Sequence, residues 1–206
     1  MSTKRRQTVG TETEHPADIL SREHDVVLAV LAAIESESRR LRRGAPMRGA
    51  WWVDAVLFFE QFSGRCHHVK EEHHLYPALD GAGVLHDEVS LTQLCHEHST
   101  ERALLNTLHD AAMAGNAIPL ADAADAYRAF AVAHIVKENT VLLELARRTL
   151  DGKALETIQL GLQEVGARTM HLHSELLALA HSLCRSAGVP ENAKPVGARS
   201  TSAEAC

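Results

Sequence analysis

Two stretches of this chain repeat one local pattern, HHVKEEHHLYP from His67 to Pro77 and HIVKENTVLLE from His134 to Glu144. Aligning their Val-Lys-Glu cores sets His67 on His134 and Glu71 on Glu138. In each copy a His and a Glu stand four residues apart. On a helix that spacing puts both side chains on one face, about one turn from each other and within reach of a common metal ion. Imidazole together with carboxylate suits iron, zinc or manganese. One such pair is common on a solvated helix face, and it is the aligned second copy that turns the pattern into a constraint on the fold.

The surrounding sequence reads as helix throughout. Strand-like alternation of β-branched and aromatic residues is absent, and Ala, Leu, Glu and Arg fill long stretches separated by Gly and Pro. Five segments are expected. The first runs from Ala17 to Arg43, with Ile19, Val26, Val27, Val30, Leu31 and Ile34 on its apolar side, and stops at Gly44-Ala45-Pro46. The second runs from Gly49 to Leu79, the third from Leu85 to Ala114, the fourth from Pro119 to Leu150 and the fifth from Lys153 to Ser186. Short loops between long helices force antiparallel neighbours, so the first four segments predict an all-α, up-down-up-down four-helix bundle over 16–151. The fifth is an additional C-terminal helix over 152–187. Residues 1–15 and 188–206 are small and polar, with little to bury, and read as disordered tails.

Spacing tests whether the donors share a level. In an antiparallel bundle, residues at one height lie equidistant from the loop between them, because each residue adds the same rise. Take His24 on the first segment, the pair around 69 on the second, His98 on the third and the pair around 136 on the fourth. The midpoints of successive elements fall at Pro46, beside Gly83, and between Gly115-Asn116 and Pro119. Each lands on a loop inferred from other residues. Six donors thus gather at one level, and buried histidines and carboxylates in that number need cations. His68 and Glu72 are also four apart and pass the same test; the alignment to His134 and the distance to Tyr76-Pro77 favour His67 and Glu71.

Bulk properties narrow the function class. With 206 residues and 45% hydrophobic content the chain suits one well-filled domain. A formal charge of -6 with scattered basic residues disfavours nucleic acid. No apolar run reaches the ~20 residues of a membrane span, and no apolar signal core follows the N-terminal Lys4-Arg5-Arg6, so a cytoplasmic location is expected. Cys66, Cys95, Cys184 and Cys206 lie far apart with no CxxC spacing, which points to reduced thiols. Histidine is the outlier, at 14 residues against 2 Tyr, 2 Trp and 4 Phe.

The order single His, HxxxE, single His, HxxxE, with KEE and LYP after the second element, resembles the hemerythrin-like cation-binding family over residues 15 to 150. The resemblance implies a non-haem di-iron centre, two iron ions held by His24, His67, Glu71, His98, His134 and Glu138, with the two carboxylates bridging. It also implies dioxygen, peroxide or nitric oxide as the small ligand, for storage, sensing or detoxification. The blood and muscle hemerythrins match five histidines where this chain matches four, which weakens simple oxygen carriage. Two other readings stand beside it: an enzyme turning over peroxide or nitric oxide on the same ligands, and a structural or regulatory module holding zinc or iron. His74, Tyr76 and Tyr127 are possible additions to the site, while His96, two residues from His98, is expected to face away.

Overall fold

A computed structural model describes residues 14–83, 90–168, 170–195 and 197–198, with the side chains of 170–172 excepted. The described residues contain helices and no strand, arranged as six rods. Helix α1 is Pro16–Arg42. His15 caps it through Nδ1, which accepts from the Ala17 N–H at 3.1 Å, and Pro16 sits where its missing N–H is harmless. Asp18 in the first turn and Arg39, Arg40 and Arg42 in the last complement the helix dipole. Gly44, at φ 79°, ends the rod.

Helix α2 spans 49–81 and α4 spans 117–149, with α3, Leu91–Ala114, between them. Both α2 and α4 contain wider turns closed by i→i−5 hydrogen bonds. In α2 these cover Phe59–His67 and Glu71–Leu75, and in α4 they cover Glu138–Leu142. The aligned Glu71 and Glu138 each open one of them: the Tyr76 N–H donates to the Glu71 carbonyl, and the Leu143 N–H to that of Glu138. Such turns slip the register by one residue and recur at functional sites. Lys70 is buried while Val69 is partly exposed, the reverse of what hydrophobicity alone suggests, because Lys70, three residues on from His67, shares its face.

One expectation changes. Helix α3 begins at Leu91, not Leu85: Ser90 is extended, at φ -86° and ψ 123°, and takes the N-cap position, while 84–89 lie outside the described residues. The expected C-terminal helix is described in two stretches, α5 at Gly152–Arg168 and α6 at Met170–Ser186, with Thr169 between them outside the described residues. They dock on successive stretches of the same two helices, α5 on the later half of α2 and the start of α1, α6 on the later turns of α1 and the first half of α2. Of the expected tails, 1–13 and 199–206 lie outside the described residues. Between them the chain after α6 follows the bundle: Lys194 pairs with Asp25 at 2.8 Å, and Pro195 is buried.

The core comes in two apolar clusters. One is built on Val27 to Leu41, the aromatics Trp52, Phe58, Phe59 and Phe62, and Tyr127; the other on Ala17, Leu20, Leu75, Leu79, Leu142, Leu143 and Ile158. Between them, on every one of α1 to α4, lies a layer of buried polar residues.

Candidate metal centre

The polar layer contains all six residues singled out by spacing. His24 comes from α1, His67 and Glu71 from α2, His98 from α3, and His134 and Glu138 from α4; all are buried, four of them at 0% exposure. The histidines face each other in pairs. The Nε2 atoms of His24 and His67 are 2.8 Å apart, and those of His98 and His134 are 3.0 Å apart. The carboxylates span both pairs. Glu71 sets Oε1 at 3.3 Å from His67 Nε2 and Oε2 at 3.5 Å from His98 Nε2. Glu138 sets Oε2 at 3.3 Å from His24 Nε2 and Oε1 at 3.3 Å from His134 Nε2.

Each imidazole is held from behind by an acceptor on Nδ1. Glu23 accepts from His67 at 3.0 Å and Glu97 from His134 at 2.9 Å. Glu72 accepts from His98 at 2.7 Å and the Asn139 side-chain oxygen from His24 at 2.8 Å. Lys70 pairs with Glu23, and Lys137 with Glu97. The arrangement follows the sequence repeat. The Glu preceding each single His (Glu23, Glu97) binds the His and Lys of one HxVKE copy, and the residue following each clustered Glu (Glu72 after Glu71, Asn139 after Glu138) binds the opposite single His.

These acceptors fix the tautomers. A carboxylate or amide oxygen cannot donate, so all four Nδ1 atoms carry the hydrogen and all four Nε2 atoms of neutral rings present lone pairs. Two pairs of lone pairs at 2.8 and 3.0 Å repel unless a cation lies among them. Both Glu71 oxygens and Glu138 Oε2 are buried without a hydrogen-bond partner, so the acceptor excess is built in. In the metal-free chain protons meet this need. Burial and the neighbouring His67 oppose charge on His24, but Glu138 and Glu71 outweigh them and raise its pKa to about 9. His67 is raised well above the ordinary value, because Glu71 and Glu23 outweigh its burial. Glu71 is held well below it, the surrounding histidines overcoming the cost of burial. A donor set of four imidazole nitrogens and two spanning carboxylates fits metal cations, iron, zinc and manganese among them.

The remaining residues sort as follows. Tyr76 belongs to the centre: its hydroxyl donates to Glu138 Oε1 at 2.8 Å and lies 3.3 Å from His98 Nε2. Tyr127 donates instead to the buried Glu101 at 2.9 Å. His74 packs against Gly161 of α5 and is not among the clustered donors, and His96 is exposed. His68, offered by the sequence only as the alternative to His67, is present beside it. It is buried, stacked on His98 with ring centroids 3.8 Å apart, and its donor atoms lie with those of His98 and His134. Its Nδ1 has no partner, and burial together with His98 holds its pKa well below the ordinary value. His67, Glu71 and His68 fall within one sector of about 100° on the helix, so two consecutive histidines face inward together. The supporting Glu23, Glu97, Lys70 and Lys137 did leave a signal, the duplicated Glu-His and Val-Lys-Glu steps.

Helices carrying a buried histidine and carboxylate cluster of this kind define a cation-binding helical protein. The family model of the hemerythrin HHE cation-binding domain matches residues 15–146, and the chain belongs to that family. No curated protein and no solved structure matches it significantly.

Proposed function

We propose that this protein is a non-haem di-iron protein that binds or reacts with dioxygen, peroxide or nitric oxide, for sensing, storage or detoxification. The observation that carries the reading is the paired arrangement of four inward Nε2 atoms spanned by two carboxylates. His24 and His67 would hold one ion, His98 and His134 the other, with Glu71 and Glu138 shared between them, in an up-down-up-down bundle over 16–151 to which α5 and α6 are added. Iron, when bound, supplies reversible electron exchange and open coordination positions for a small ligand.

The chain's own residues do the rest. Glu23, Glu97, Glu72 and Asn139 orient the rings so that only Nε2 faces inward. The Tyr76 hydroxyl restrains Glu138 and is the nearest phenolic proton to the centre. The apolar clusters above and below the layer keep bulk water away. A cavity of about 300 Å³ runs from the exposed Arg65 and Arg102 inward to His68, Ser63 and Glu101. We take it as the way in for a small reactant, with the unpartnered His68 Nδ1 offering a hydrogen-bonding or proton-handling group at its inner end. This cavity, with ionisable His68 and Glu101 at its inner end, is also what favours the second reading, an enzyme that turns over peroxide or nitric oxide.

The test is to load the purified full chain with ferrous iron without air, then record its visible absorption on admitting air, peroxide or nitric oxide. New charge-transfer absorption with two irons retained supports the reading, and repeated turnovers without iron loss move it to the enzyme. A colourless protein that keeps zinc and ignores all three reagents would make the centre a structural or regulatory module.

A further inference from the structure

The support around the centre is a near-perfect repeat with one break. Behind His67 and His134 stand equivalent carboxylates, Glu23 and Glu97, each tied to the equivalent lysine, Lys70 or Lys137. Behind the two single histidines the equivalence fails: His98 Nδ1 faces the carboxylate of Glu72 at 2.7 Å, whereas His24 Nδ1 faces the neutral amide oxygen of Asn139 at 2.8 Å. A carboxylate acceptor draws the Nδ1 hydrogen toward itself and makes the opposite nitrogen a stronger donor, and losing such a partner typically weakens metal binding by about 10- to 100-fold. An amide oxygen does this only weakly. Arg102 lies 3.7 Å from Glu72 and tempers its charge, but it is exposed, and the Glu72 to His98 hydrogen bond is shorter and more enclosed. The other asymmetric features, the Tyr76 hydroxyl beside His98 and His68 stacked on it, fall at the same end.

We infer that the two metal positions are inequivalent, and that Glu72, a positioning residue acting through His98, makes the His98–His134 position the tighter one and the first to fill. The inference rests on the two-ion reading above. Asn139 marks the His24–His67 position as the weaker and more readily emptied one.

The test is a cobalt(II) titration of the full chain against a competing chelator, followed by visible absorption, with circular dichroism as the check on folding. Wild type shows two steps separated by about tenfold or more. Glu72→Gln keeps the shape of the side chain and removes its charge; it weakens the tight step toward the other and shifts the absorption of the first ion, with helicity unaltered. Asn139→Asp tightens the weak step. His24→Ala keeps the tight step, and His98→Ala abolishes it. Two ions binding in equal steps, or steps indifferent to both Glu72→Gln and Asn139→Asp, would overturn the inequivalence while leaving the two-ion centre standing. Fewer than two ions in wild type would overturn both.

Discussion

At the scale of single residues, the centre is a balance between acceptors that cannot donate and rings forced to present lone pairs. Glu23 shows how tightly this is held: it is buried, yet His67 and Lys70 bring its pKa down to about 2. Replacing it by Gln leaves Lys70 buried opposite a neutral group and removes the charge behind His67. We expect Glu23→Gln to weaken metal binding by about 10- to 100-fold, measured by chelator competition. The ligand positions themselves act more sharply. His98→Ala should release one or both metals while leaving helicity near wild type by circular dichroism, because the two apolar clusters supply most of the burial. An unchanged metal content would strike His98 from the ligands. For His24 the sign of the pH effect follows from its raised pKa. Its protonation stabilises the metal-free fold fully below the ordinary 6.5, and that contribution is lost as pH rises through about 9. Metal-free protein should therefore melt progressively lower across that window, and metal uptake at neutral pH should release protons, seen with a weakly buffered indicator dye.

At the scale of helices, regular geometry explains what the sequence showed and what it hid. The His and Glu four apart, and the common level of four elements, were legible because helical rise and loop positions are nearly invariant. That His67 and His68 both turn inward was not, because the sequence offered His68 only as the alternative register, with Glu72. Neither was the support by Glu72 and Asn139, which requires knowing which helices face each other across the centre. The start of α3 was hidden for a different reason, since Leu85 is not itself a breaker. The contact between α5 and α2 offers a test at this scale. A Cβ at Gly161 would lie 2.2 Å from His74 Nδ1, so the helices meet only where one lacks a side chain. Gly161→Ala should destabilise the fold by about 1–3 kcal/mol despite its better helix propensity. Combined with His74→Ala the penalty should largely vanish in a chemical-denaturation cycle.

At the scale of the molecule, the C-terminal helices lie wholly beyond the matched family region, yet α6 is integral to the core. Leu176, Ala180 and Leu183 are buried in it, Trp51 Nε1 donates to the Leu183 carbonyl, and Arg48 donates to the Ser186 carbonyl at 2.9 Å. Ending the chain after Arg168 should lower its stability by about 3–6 kcal/mol, from the exposure of two leucines and the indole they cover, read as a falling denaturation midpoint. None of the described helices is long and apolar enough to cross a membrane. Together these features make a bundle whose apolar halves fix between them a polar layer that could hold cations. The direct measurement is a count of iron per chain after anaerobic ferrous loading and gel filtration, on wild type and on Glu71→Ala/Glu138→Ala. Two irons per wild-type chain, and none in the double variant with helicity retained, is the expected result; a wild-type chain that retains no iron, or a double variant that retains both, would contradict it.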